Sequence, residues 1–290
     1  MRLFFLFSLL LIAGSVSACA ADAPVLFLNG EVRQGEMLFG FVSPDAELTV
    51  NDERISPRKD GWFAVGIGRD DEGTLKFKAV RNGTATERDY AIKPRKWKVQ
   101  SIDGLPQNTV TPSPEEQKRI ADEMEMARKA REKTVAAELP LCFDMPAEGR
   151  ISSIYGSQRI LNGVPKTPHN ALDIANKEGT PIFAPADGVV VLVNENMFLS
   201  GKTVLIGHGQ NVVTSYIHLS EIAVKEGQTV KKGDEIGKIG TTGRSTGPHL
   251  HWVVSWKTKR VDPQAFINNS QKFCPAASFG QTSALQKETR

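Results

Sequence analysis

His249-Leu250-His251-Trp252-Val253-Val254-Ser255 is the stretch on which the reading of this chain turns. In an extended backbone successive side chains point to opposite faces, so His249 and His251 share one face and Leu250 takes the other. From Leu250 onward the run is apolar and β-branched, which reads as a strand. Working outward, the same texture recurs in Gly188-Val189-Val190-Val191-Leu192-Val193, in Thr203-Val204-Leu205-Ile206 and in Val212-Val213-Thr214-Ser215-Tyr216-Ile217. Glycine-containing turns separate these runs. The pattern predicts an antiparallel β-sheet domain over residues 141–275, with the two histidines on one of its faces.

All five histidines, His169, His208, His218, His249 and His251, fall within this half of the chain. Taken singly, each has a bland reading. A lone histidine in a strand is usually a satisfied half-buried residue, and H-x-H arises often by chance. Pro168-His169-Asn170-Ala171-Leu172-Asp173 adds a His and an Asp four residues apart, an even spacing that puts both on one face if the segment is extended. Two histidines and one carboxylate form the ligand set of a catalytic zinc site, with the fourth position left for water. A closed structural site would need four Cys or His ligands, and the cysteines are too few. Histidines left over after ligation can handle protons and stabilise an oxyanion. The combination within one glycine-rich β domain carries the inference.

The rest of the chain frames that domain. At 290 residues there is room for two domains, and a net charge of +3 is too small to argue for nucleic acid. Residues 1–20 read as an export signal: Arg2 precedes an apolar run over 3–13 that is too short to be a permanent span. Val16-Ser17-Ala18-Cys19 leaves two readings open. It is similar to a lipobox, in which Cys19 becomes a lipid anchor, and Ala18-Cys19-Ala20 also fits ordinary cleavage. Either way the expectation is an exported, periplasmic protein, free or membrane-anchored as a lipoprotein. Beyond the signal only Cys142 and Cys274 remain, and an oxidising compartment would let them pair across the ends of the C-terminal domain. Residues 24–98 alternate in short runs, such as Glu47-Leu48-Thr49-Val50, between turn signals such as Asn29-Gly30 and Asn82-Gly83. They predict an N-terminal Ig-like β-sandwich, a spacer or docking module with no chemical constellation. Residues 99–140 are expected to be a linker containing a helix over 114–136. That helix starts with Ser113 as N-cap, Pro114 at the first position and Glu116 closing a capping box. A polar tail, 276–290, is expected to be disordered.

Residues 149–267 resemble the lysostaphin-type zinc endopeptidases, which cut peptide cross-links of peptidoglycan. The resemblance runs through Ser153 and Gly156, residues 169–175, Gly179-Thr180-Pro181 and Ala184-Pro185-Ala186-Asp187-Gly188. It continues through His208-Gly209, residues 216–220 and 224–240, then 242–252, and ends near Val261-Asp262-Pro263. It implies one zinc ion per chain, held by His169, Asp173 and His251, in the groove of a mainly β fold. It implies that His218 and His249 are the catalytic histidines, orienting water and stabilising the oxyanion. His208 falls on a position read as structural, and Tyr216 on the groove. One departure is Ala171, where the family often has glycine. The implied substrate is the peptide stem of peptidoglycan, with a D-Ala to diaminopimelate cross-link (a DD-endopeptidase) expected ahead of a glycine bridge. Protein partners in wall remodelling or division fit the same setting.

Two rival readings attach to the same half of the chain. Gly227-x-x-Val230-x-x-Gly233-Asp234-x-Ile236-Gly237 is similar to the hairpin of lipoyl carriers, but the expected lysine in a Met-flanked turn is missing. The stronger rival is a non-catalytic wall-binding regulator of other hydrolases, against which the intact His and Asp set argues.

Overall fold

The computed structural model describes residues 23–104 and 110–275. The signal segment with Cys19 and the tail 276–290 lie outside the described residues. The chain is mainly β. In its first half, β1 (Leu26–Asn29), β2 (Met37–Val42) and β5 (Trp62–Gly66) form one antiparallel sheet. The other sheet contains β3 (Glu47–Val50), β4 (Glu53–Ile55), β6 (Thr74–Arg81) and β7 (Thr84–Ala91), in the order β4-β3-β6-β7. The alternation expected at 47–50 and 74–80 is seen directly: Leu48, Val50, Leu75, Phe77 and Ala79 are buried, and their neighbours lean outward. Phe63 of β5 meets Phe77 of β6 at 6.1 Å between ring centroids, so the two sheets face each other across an aromatic core. Asn82 and Gly83 both have positive φ and join β6 to β7 in a tight hairpin, the conformation for which Asn-Gly is selected.

Within the expected linker, β8 (Val99–Ile102) pairs in parallel with a later strand. The helix α1 (Pro114–Glu132) follows, and both halves of its capping box are formed between Ser113 and Glu116. It ends four residues before the expected position. Lys133 turns extended, and its Nζ reaches the Val191 carbonyl and the Glu226 carboxylate.

The second half adds β9 (Arg150–Ser153), β10 (Gln158–Leu161), β11 (Val164–Pro165), β12 (Leu172–Ala175) and β13 (Pro181–Phe183). Then come β14 (Gly188–Met197), β15 (Gly201–Gly207), β16 (Val212–Ile222), β17 (Thr229–Val230) and β18 (Glu235–Ile239). β19 (His249–Trp256), β20 (Lys259–Val261) and the helix α2 (Pro263–Ser270) complete it. The main path of the large sheet is β17-β14-β15-β16-β19-β12-β9, with every pairing antiparallel; β18 joins β13 and β16, and β20 joins β19. Its rear face, including Val204, Ile206, Tyr216, Leu250, Trp252 and Val254, is fully buried in one continuous core with the N-terminal sandwich. Phe39 packs on Phe266, and Trp62 on Phe273. The side chain of Gln210 accepts from Ala64 N and donates to the Trp62 carbonyl, capping the open edge of β5. Cys142 and Cys274 are disulfide-bonded, with Cα atoms 4.9 Å apart.

The front face of the sheet is the one opposite that core. α1 lies across one end of it, burying Ala130 among Val191, Leu192, Met197, Leu205 and Val213. On the other flank β8, β10 and β11 form a small sheet. Between these walls runs a groove of about 550 Å³. No helix among the described residues is long and apolar enough to cross a membrane.

Candidate metal centre and groove

β19 supplies two of the histidines as its period of two requires. His249 and His251 both line the groove, and Leu250 between them is fully buried on the rear face. Asp173 of β12 is the register partner of His251, so their side chains stand on the same face of neighbouring strands. His169 arrives differently. The expectation of one extended segment from His169 to Asp173 does not hold, because β12 begins only at Leu172. The loop before it is fixed instead by His169 N donating to Ser157 O and Gly156 N donating to His169 O. Ala171, the departure from the family pattern, is fully buried.

The three side chains converge. Asp173 Oδ1 is 3.0 Å from His169 Nε2 and 2.7 Å from His251 Nδ1, and the two nitrogens are 3.3 Å apart. For a tetrahedral zinc with ligands at 2.0–2.1 Å, neighbouring donors are about 3.3 Å apart. His169 Nδ1 lies 3.0 Å from the Ile154 carbonyl and donates to it, which leaves a lone pair on Nε2 facing the carboxylate. Electron-pair donors crowded this closely repel unless a cation sits among them, so the set fits a divalent metal. Arg159 holds the second carboxylate oxygen, Asp173 Oδ2, at 3.1 Å, and Ser153 Oγ lies 3.0 Å from His169 Nδ1. These neighbours fix the orientation of the ligands. Burial alone would raise the Asp173 carboxyl, but the imidazoles of His251 and His169 outweigh it and hold the group well below its usual range. Burial pushes His251 down to about 4 against the pull of Asp173. An ionised Asp and a neutral His are the protonation states that metal binding requires.

His218 reaches the groove through a break in pattern. Ser215 and Ile217 of β16 line the groove while Thr214 and Tyr216 face the rear, so simple alternation would send His218 rearward. Its φ of 67° and the register shift after Tyr216 re-aim it forward. Such a backbone costs about 1–3 kcal/mol in a non-glycine residue and is held here by His218 N donating to Ser200 O. His218 Nδ1 donates to Thr242 O at 2.7 Å and His249 Nδ1 to Gly247 O at 2.8 Å. Each therefore turns an unprotonated Nε2 towards the groove. Burial, then the neighbouring imidazoles of His251 and His249, lowers His218 to about 3. The two rings lie 4.9 Å apart, and His249 Nε2 is 4.0 Å from Asp173 Oδ1.

The remaining two expectations separate. His208 is fully buried on the rear side, with Nδ1 donating to Asp187 O and Nε2 accepting from Thr214 Oγ1, both at 2.8 Å. Tyr216, expected at the groove, is a correction: its hydroxyl bonds Thr214 Oγ1 inside the core, because its parity on β16 is that of the rear face. Sequence reasoning assigned no role to Arg159, Gln100 or α1 in the groove. Arg159 and Gln100 touch site residues only through tertiary folding, and no local spacing announces them.

Residues 167–263 match the family model Peptidase family M23, and all five groove and rear histidines lie inside that span. A solved Pseudomonas aeruginosa chain assigned to peptidase M23 is 31% identical and covers 83% of this chain and 96% of its own length, with a TM-score of 0.65. The peptidoglycan DD-endopeptidase ShyA of Vibrio cholerae is 38% identical over 148 residues, 50% of this chain and 34% of that protein. An uncharacterized metalloprotease of Haemophilus influenzae is 42% identical over 147 residues, 50% of this chain and 30% of that protein. This chain thus spans about a third of the length of these curated relatives. The likeness to the Pseudomonas chain extends well beyond the matched segment, through the sandwich as well as the sheet. By sequence, by fold and by the length over which both hold, the chain belongs to the lysostaphin-type peptidase family M23.

Proposed function

We propose that this chain is a zinc-dependent endopeptidase that hydrolyses peptide cross-links of peptidoglycan, with DD-endopeptidase specificity. The observation that carries the reading is the convergence of His169 Nε2, Asp173 Oδ1 and His251 Nδ1, with the Nε2 atoms of His218 and His249 facing the same groove. Zinc held by His169, Asp173 and His251 would supply a Lewis acid for the scissile carbonyl and acidify the attacking water. His218 and His249, locked as Nδ1–H tautomers by backbone carbonyls, accept hydrogen bonds from that water and orient it. Having taken a proton, such an imidazole becomes a donor, fit to steady the oxyanion and to protonate the leaving amine. Arg159 donates to Asp173 Oδ2 and keeps the carboxylate aligned. The relatives' DD-endopeptidase activity supports the choice of cross-link. The Cys142–Cys274 bond supports a site of action outside the cytoplasm, in line with the export signal read at residues 1–20.

The test is digestion of purified peptidoglycan by the processed protein, with zinc content assayed on the same sample, beside His249→Ala. About one zinc per chain, release of monomeric muropeptides and a variant slower by roughly 100-fold or more are expected. Bound zinc with no release from any cross-link chemistry would overturn the enzyme reading and favour a wall-binding regulator.

A further inference from the structure

The groove does not stop at the metal centre. It continues towards α1 and β20, and five arginines line its length: Arg131, Arg150, Arg159, Arg244 and Arg260. The two carboxylates on the same walls are already committed. Asp173 faces the histidines and Arg159, while Glu123 pairs with Arg119 and accepts from Phe198 N. Arg131, on the groove side of α1, and Arg260, on β20, form no ion pair or side-chain hydrogen bond among the described residues. Glu132, the acidic neighbour of Arg131, is taken by Arg128. Both residues are half-buried, and the pKa of each is lowered chiefly by burial; for Arg131 the nearby charge of Arg260 adds to the effect and that of Glu132 opposes it. Two half-buried cations in one groove, with no ion pair among the described residues, are costly in a folded protein.

A second, independent feature lies in the same groove. Ser215 is 2% exposed and faces the groove, and its Oγ has no hydrogen-bond partner. Its register partners Leu205 and Val253 flank it, and Arg260 stands beside Val253 on the next strand, opposite Ser255. A buried hydroxyl without a partner, on the wall of a groove that two guanidiniums with no ion pair among the described residues also line, describes a site complementary to a planar oxyanion.

We propose that Arg131, Arg260 and Ser215 form a carboxylate-binding subsite that grips a free carboxylate of the substrate peptide. The assignment of the ligand rests on the peptidoglycan reading above, since stem peptides carry free carboxylates. Ser215 and Val253 lie two residues along their strands from Ile217 and His251, so the subsite floor is about 7 Å from the metal centre. An extended peptide covers that distance in about two residues. The subsite therefore selects substrates with an acid group within about two residues of the scissile bond. On this view α1 is a wall of the binding groove and contributes a residue to it.

The experiment uses the full chain carrying His249→Ala, zinc-loaded so that binding is read without turnover, titrated calorimetrically with a stem tetrapeptide and with its carboxamide counterpart. The carboxylate peptide should bind at least about 10-fold more tightly, and Arg131→Gln with Arg260→Gln should erase the preference. Arg131→Gln alone, on the helix surface of the groove, should weaken the carboxylate peptide alone by about 10-fold. That single variant and Ser215→Ala keep the test open if the Arg260 variant does not fold. Equal binding of the two peptides, no saturable binding of either, or an unchanged preference in the arginine variants would overturn the subsite. Faster digestion of peptidoglycan by Arg131→Gln in the otherwise native chain would also overturn it, since that is the behaviour of a plug. Failure of the native chain to digest peptidoglycan, with the binding preference intact, would sink the endopeptidase reading and leave the subsite standing.

Discussion

On the rear face of the large sheet His208 commits both ring nitrogens to the protein, one to Asp187 O and one to Thr214 Oγ1. On the front face His218 and His249 commit one each and leave the other aimed into a groove. All three are strand or near-strand histidines in one domain, and burial alone does not tell them apart: His208 and His218 are both buried, and both are pushed well below the ordinary histidine range by that burial. What differs is the account of hydrogen-bond partners. A histidine whose two nitrogens are both satisfied by the fold is a structural element, and one with an unspent nitrogen beside a carboxylate and two more imidazoles is equipped for chemistry.

That contrast can be broken most severely at the ligands. Asp173→Ala should abolish zinc binding and lower peptidoglycan digestion by at least about 1000-fold, since losing even a single oxyanion donor costs about 100- to 1000-fold. Metal analysis and a digestion assay on the same sample check this, and activity surviving without metal would remove the basis of the contrast. Next in size, His218→Ala should retain the zinc and lose about 100- to 1000-fold in kcat with the fold unchanged. Loss of the metal in that variant would make His218 a ligand and not a proton-handling group. The smallest effect belongs to the rear face. The unfolded chain takes up a proton at His208 below about 6.5, whereas the folded chain resists until about 4. The unfolded state therefore binds more protons in this window, so the His208 contribution is fully present above about pH 6.5 and is lost as pH falls towards 4. It amounts to roughly 3 kcal/mol across the window. Urea melts at pH 7 and pH 4.5 should show His208→Gln with a shallower pH dependence than the native chain, and with measurable activity at pH 7. A dead but well-folded His208 variant would erase the distinction between the faces.

The sequence made part of this visible. Alternation in residues 249–255 foretold both the strand and the shared face of His249 and His251, because a period of two is a local property. The capping box at Ser113 was legible for the same reason. His169 joins the site from a loop, and its partners lie at Ser157 and Ile154, set by tertiary folding and not by its spacing from Asp173. The forward turn of His218 depends on a single left-handed residue, which no hydrophobic pattern encodes. The groove walls were hidden for a different reason. α1 reads as a polar helix with a thin apolar stripe, and only its seat on β14 and β15 reveals that Arg131 looks into the site. The common core of sandwich and sheet, through Phe39, Trp62, Phe266 and Phe273, likewise joins residues some 200 positions apart.

The pairing of Cys142 with Cys274 has a topological consequence. The two ends of the C-terminal half meet at one covalent point, so that segment is a closed ring of chain. A protease that nicks an exposed turn inside the ring, at Gly227 or Gly233 for example, produces two polypeptides and still only one molecule. Strands on either side of such a cut stay tethered at short range and can re-pair without a search through solution. A backbone scission there is a local injury and does not part His169 and Asp173 from His251.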